Sequence, residues 1–70
     1  MNIDELYKTI QELYSEVQDT TEPREICCMK LRLFDMQKIL KAHDNNKDTL
    51  YIKELQYDYY EKYGGKINVV

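Results

Sequence analysis

The chain has no tryptophan, one proline, one histidine, two glycines and only two cysteines, which are neighbours. Each scarcity removes a class of structure. With Gly64 and Gly65 as the only glycines, there is no glycine-rich loop to cradle a phosphate. Cys27 and Cys28 cannot staple distant parts of the chain together, and a disulfide between neighbours would distort a helix. No stretch approaches the roughly 18 apolar residues of a membrane span, and no opening segment joins basic residues to an apolar run. The expectation is a soluble, cytoplasmic chain. Its 70 residues make one domain at most, over 1–70, and so short a chain buries a small share of its surface. Without disulfides, its stability has to come from regular helix packing or from association with another molecule.

Site chemistry is equally scarce. Cys27, Cys28 and His43 are the only soft metal ligands, and a zinc site needs its ligands within about 2.3 Å of one ion. On a single helix, at about 1.5 Å per residue, His43 lies more than about 20 Å from the thiols. No metal and no cofactor are therefore expected. The thiols read as small buried groups, with Cys28, at the margin of an apolar stripe, as the reachable one. A lone histidine at a helix end has no nucleophile or fixed carboxylate placed beside it. Glu25, Asp35 and Asp44 read as solvated surface charges, and no enzyme activity is expected.

What the chain does have is apolar periodicity. Ile3, Leu6, Ile10, Leu13 and Val17 recur at spacings of three and four, which predicts a helix over about 3–18 with one buried stripe. Asn2 and Glu5 fit a capping box at its start. A second helix is predicted over about 23–43, with Pro23 in its first turn and Thr21 or Glu22 as cap. This segment is apolar on two sides. Ile26, Met29, Leu33, Met36 and Leu40 form one stripe; Cys27, Leu31, Phe34 and Ala42 form another, with Cys28 and Ile39 at its margin. A helix apolar on two sides is usually central. After the turn-forming run HDNNKD, a third, tyrosine-rich helix is predicted over about 49–63, stopped by Gly64. Its residues have good strand propensity, but Ile52, Leu55, Tyr59 and Tyr63, joined by Tyr51, make a single stripe at helical spacing. The tail 66–70 is apolar enough to dock on the bundle, form an edge strand or meet a partner. The fold class is all-α: an antiparallel helical hairpin plus a third helix, with dimerisation through the second stripe as the variant.

The net charge of −3 is too mild for a dedicated nucleic-acid binder, but its distribution is uneven. Residues 1–22 carry −5, residues 23–47 carry +3 and residues 48–70 carry −1. Oppositely charged first and second helices suit side-by-side packing with ion pairs at the rim, although exposed pairs contribute little. Glycine, proline and alanine are scarce while lysine, asparagine, tyrosine and isoleucine are common, a bias associated with AT-rich bacterial genomes and their phages. Small helical hairpins of the sporulation aspartyl-phosphate phosphatases carry a Ser-Gln-Glu-Leu-Asp motif; the nearest stretch here, Lys53-Glu54-Leu55-Gln56, does not match it.

Tyrosine is the most informative residue type, because five of the seven fall between Tyr51 and Tyr63. Leu50 and Tyr57 lie on the side of the third helix opposite its core stripe, and Tyr60 lies between the two. Tyrosine on an outer helix face suits a protein interface, since it buries apolar area while keeping a hydroxyl for hydrogen bonding. The expectation is a non-enzymatic regulator, adaptor or inhibitor that binds another protein through Leu50, Tyr57, Tyr60, Cys28 and Ile39. The alternatives are a nucleic-acid accessory protein using the bases of the second helix and a homo-oligomeric structural subunit.

Overall fold

A computed structural model describes residues 1–70, and it is all-helical. Helix α1 runs Ile3–Asp19, α2 Pro23–Asp44 and α3 Thr49–Tyr63. The predicted ends hold to within one residue because each is chemically marked. Asn2 Oδ1 accepts from the Glu5 N–H at 2.9 Å while Glu5 accepts from the Asn2 N–H, closing the capping box. Glu22 and Asp48 cap α2 and α3 through their carboxylates, satisfying N–H groups that have no partner inside the helix. Gly64 ends α3 at φ 76°, a left-handed conformation that costs a side-chain-bearing residue energy. Asn46, at φ 52°, turns the chain between α2 and α3, a role that asparagine tolerates.

The two connections run each neighbour antiparallel to α2. Tyr7, near the start of α1, donates to Asp44 at the end of α2, and Tyr63, at the end of α3, donates to Asp35 midway along α2. Helix α2 packs against both α1 and α3, which do not pack against one another. Leu6, Ile10 and Leu13 meet Leu33 and Met36 in a core that also takes in Ile39, Tyr59 and Ile67. Ile52 and Ala42 are buried as well.

The tail resolves into one of its three expected forms: it docks. Ile67 is 1% exposed, a buried part of the core although it lies outside every helix. The Met1 amino group donates to the Lys66 carbonyl at 2.9 Å, and the Asn68 N–H donates to the Met1 carbonyl at 2.7 Å. On the other side, the Gln56 side-chain oxygen accepts from the Val69 and Val70 N–H groups. The tail is thereby tied to the start of α1 and to the middle of α3.

Four expectations are corrected. The second stripe of α2 is not what α3 covers: Leu31 and Phe34 are 60% and 65% exposed, because α3 packs on the adjoining side that carries Arg32, Asp35, Ile39 and Ala42. Cys27, expected buried, is exposed like Cys28, the thiol expected to be reachable; the last turn of α3 lies beside Arg32 and Asp35, so the first turns of α2 project past it. Tyr51, assigned to the core stripe, is exposed, since it lies on the flank of a stripe centred on Ile52 and Tyr59. The rim ion pairs between α1 and α2 do not form: the lysine–carboxylate pair present is Lys62–Asp35, between α3 and α2. Glu12 and Glu16 lie across α1 from its core stripe and so face away from the bases of α2.

Truncating Ile67 to alanine removes buried apolar volume and loosens the one segment filling the space beside α1 and α3. Ile67→Ala is expected to lower the free energy of unfolding by about 2–4 kcal/mol, measured by urea titration followed by circular dichroism. A change below about 0.5 kcal/mol would show that the tail does not contribute to the core.

Candidate functional site

Two surfaces carry concentrated side-chain chemistry, and both follow from how α3 sits on α2. The inner one is a polar seam. Tyr59 is 2% exposed, and its hydroxyl accepts from Arg32 Nε at 2.8 Å. One turn on, the Tyr63 hydroxyl donates to Asp35 Oδ2 at 2.7 Å, and Lys62 Nζ reaches the same oxygen at 3.3 Å. The Tyr59 and Tyr63 rings stack at 4.7 Å between centroids with a tilt of 46°, a spacing at which aromatic pairs attract. A cleft of about 220 Å³ opens beside this seam, lined by Asp35, Lys38, Leu55, Asp58, Tyr59, Glu61 and Lys62.

The chemistry of the seam is orientation and charge pairing. Burial raises the Tyr63 phenol pKa to about 12, assisted by its hydrogen bond to the Asp35 carboxylate. Both effects favour the neutral phenol, which can donate where a phenolate could not. Arg32 and Asp35 were read from sequence as rim and surface charges; they instead fix the register of α3. The available signal was spacing. Arg32 and Asp35 are three apart on the side of α2 that also holds Ile39, while Tyr59, Lys62 and Tyr63 recur at three and four on α3.

The outer surface is the face of α3 opposite the seam. Leu50 and Tyr57 are 70% and 62% exposed, and with a spacing of seven residues they lie one above the other, two turns apart. A hollow of about 320 Å³ is lined by Leu50, Lys53, Glu54, Tyr57 and Asp58. The tail enlarges this surface. Tyr57 and Tyr60 line a second hollow, of about 450 Å³, together with Lys66, Asn68 and Val70. Lys66 Nζ stands 5.8 Å from the centroid of the Tyr60 ring, within cation–π range. The Tyr57 phenol pKa is raised, chiefly by a hydrogen bond with Glu61, and that of Tyr7 is raised by its bond to Asp44.

The five residues predicted to bind a partner therefore separate. Leu50, Tyr57 and Tyr60 share the outer face of α3. Cys28 is exposed at the overhanging start of α2, away from that face. Ile39 is 1% exposed and belongs to the core, because the helix margin on which it lies is the side that α3 covers. What the sequence did not show is that Lys66 and Val70 join the α3 face, since only the docked tail brings them there.

No group of three or more histidine, cysteine, aspartate or glutamate side chains is arranged to hold a metal ion, and no helix is long and apolar enough to cross a membrane. His43 Nδ1 lies 3.5 Å from Asp44 Oδ1. No protein-family model matches the chain, and no curated protein or solved structure matches it significantly.

The Tyr63 phenol should titrate near 12, above its ordinary value of 10.0, as read from its ring-carbon resonance. In Asp35→Asn the midpoint should fall, because the partner that favours the neutral form has lost its charge. The raised folded-state value sets the sign for stability: this contribution is complete below the ordinary value and is lost as pH rises toward about 12, so unfolding becomes easier across that window. A Tyr63 midpoint unchanged in Asp35→Asn would remove the carboxylate as a cause.

Proposed function

We propose that the protein is a small non-enzymatic protein-binding regulator, adaptor or inhibitor working in the cytoplasm, and that it engages its partner through the outer face of α3. The observation that carries this reading is the exposure of Leu50 and Tyr57, 70% and 62%, on a helix whose opposite side is well buried. A large aliphatic and a large aromatic side chain sharing one solvent-facing stripe, with Tyr60 beside them, have the composition favoured at the centre of protein interfaces. The hollows flanking Tyr57 give a partner side chain somewhere to insert. Tyrosine and leucine lose little rotamer freedom when covered, and the hydroxyls of Tyr57 and Tyr60 keep their hydrogen-bonding capacity. The compositional bias toward lysine, asparagine, tyrosine and isoleucine fits a phage or mobile-element gene, a setting in which a compact chain of this kind would act on a host protein.

The test compares tagged wild-type protein with a Leu50→Glu/Tyr57→Ala variant in affinity capture from nuclease-treated lysate, with quantitative mass spectrometry. Both positions are exposed, so helix content by circular dichroism should stay unchanged. A partner captured stoichiometrically by the wild type should fall by about tenfold or more in the variant. Equal capture by both proteins would remove this face from the interaction, and unfolding of the variant would place the two residues in the core.

A further inference from the structure

Helix α2 has a third side that neither neighbour covers. At about 100° per residue, Cys27, Lys30, Leu31, Phe34, Lys38 and Lys41 fall on this side, turned away from both Met36 and Ile39. Leu31 and Phe34 are the large apolar side chains that α2 leaves exposed. Tyr7 and Tyr14, also exposed, run along the adjoining edge of α1, which the Tyr7–Asp44 hydrogen bond holds against α2.

The charges that α2 itself places on this side are of one sign. The acids of α2, Glu25, Asp35 and Asp44, all lie elsewhere on the helix, and none of Lys30, Lys38 or Lys41 makes an ion pair. Lys38 also borders the α2–α3 cleft near Asp58 and Glu61. Phe34, Gln37, Lys38 and Lys41 line a hollow of about 340 Å³ that contains no carboxylate. The face therefore combines an apolar stripe at spacings of four and three, continued one turn on by Lys38, with the unpaired ammonium groups of Lys30 and Lys41 along its flank nearer α1.

That combination selects among occupants. A two-fold dimer pairs a surface with itself and would set lysines against lysines, which opposes association. A nucleic acid would match the charge but leave Leu31 and Phe34 unused, since phosphates offer them no apolar partner. An acidic amphipathic helix satisfies both parts at once. We propose that the open face of α2, bordered by Tyr7 and Tyr14 of α1, is a docking groove for an acidic amphipathic helix of another protein. Its apolar stripe lies along Cys27, Leu31 and Phe34, as in other helix-in-groove complexes, and its carboxylates face Lys30, Lys38 and Lys41. This surface is separate from the outer face of α3, so the protein would have two docking faces and could bridge two chains.

The probe is a synthetic helix of about 14 residues, long enough at about 1.5 Å per residue to span Cys27 to Lys41, with leucines at helical spacing and flanking glutamates. Two control peptides go with it: one with every glutamate replaced by lysine, and one of identical composition with its order scrambled. Each is titrated into the full chain while the backbone amide resonances are followed. Saturable shifts confined to residues 27–41 and the Tyr7–Tyr14 edge are expected with the acidic helix, at an affinity about tenfold or more above that of the scramble. Lys38→Glu/Lys41→Glu and, separately, Leu31→Ser/Phe34→Ser should each weaken binding by about tenfold. Lys38→Gln/Lys41→Gln replaces the first pair should charge reversal disturb the helix by circular dichroism. The proposal is overturned by any of four results: no saturation at millimolar peptide, equal affinity for the scramble, the same shifts on concentrating the protein alone, or tighter binding of single-stranded DNA at these residues. Loss of the α3 face in Leu50→Glu/Tyr57→Ala should leave peptide binding unchanged, which separates this proposal from the α3 reading.

Discussion

The fold rests on one constraint: a single helix must satisfy two neighbours that do not pack against one another. Met36 lies where the two sides of α2 meet and is fully buried, with Leu33 toward α1 and Ile39 toward α3. A helix alone in water is marginal at these lengths, so α1 and α3 each depend on the apolar surface that α2 offers. The two interfaces differ in kind. Toward α1, α2 offers a regular aliphatic seam with a hydrogen bond at its end. Toward α3, it offers Ile39 and Ala42 at one level, then Arg32 and Asp35 at the next.

That difference explains how much of the fold was legible. The α1–α2 seam repeats at spacings of three and four in both helices, so periodicity alone located it. Helix ends were equally plain, because Asn2, Pro23 and Gly64 are residues whose backbone chemistry favours those positions. The α3 interface was misassigned because hydropathy weighs each residue singly. Arg32 and Asp35 count as surface residues on any such scale, yet each is matched by a tyrosine hydroxyl on α3. Leu31 and Phe34 count as core, yet nothing in the chain covers them. The true contact side was offset around α2 from the apolar stripe, which is why Ile39, read as a margin residue, is core.

The candidate sites were legible in proportion to how local they are. Leu50 and Tyr57 could be placed on an outer face from α3 alone, since both positions and their opposite, the buried Ile52 and Tyr59, belong to one helix. Lys66 and Val70 could not, because they arrive through a tail whose position depends on α1. The open face of α2 was visible as an apolar stripe, but its being open depends on where α3 settles. Its charge follows from the same offset: Asp35 is turned toward α3, leaving Lys30 and Lys41 without acidic company.

The tail has a consequence for the order in which the chain assembles. The α1–α2 and α2–α3 pairings join segments adjacent in sequence, and short connections make such contacts quick to form. The Met1–Lys66 hydrogen bond closes a loop of 65 positions, whose entropy cost is met only once the helices already stand beside one another. The hairpin-like helix pairs should therefore form early and the strap last. In the folded protein the tail is what links α1 to α3, so release of Ile67 and its hydrogen bonds to Met1 and Gln56 undoes the connection between two helices that do not pack on one another.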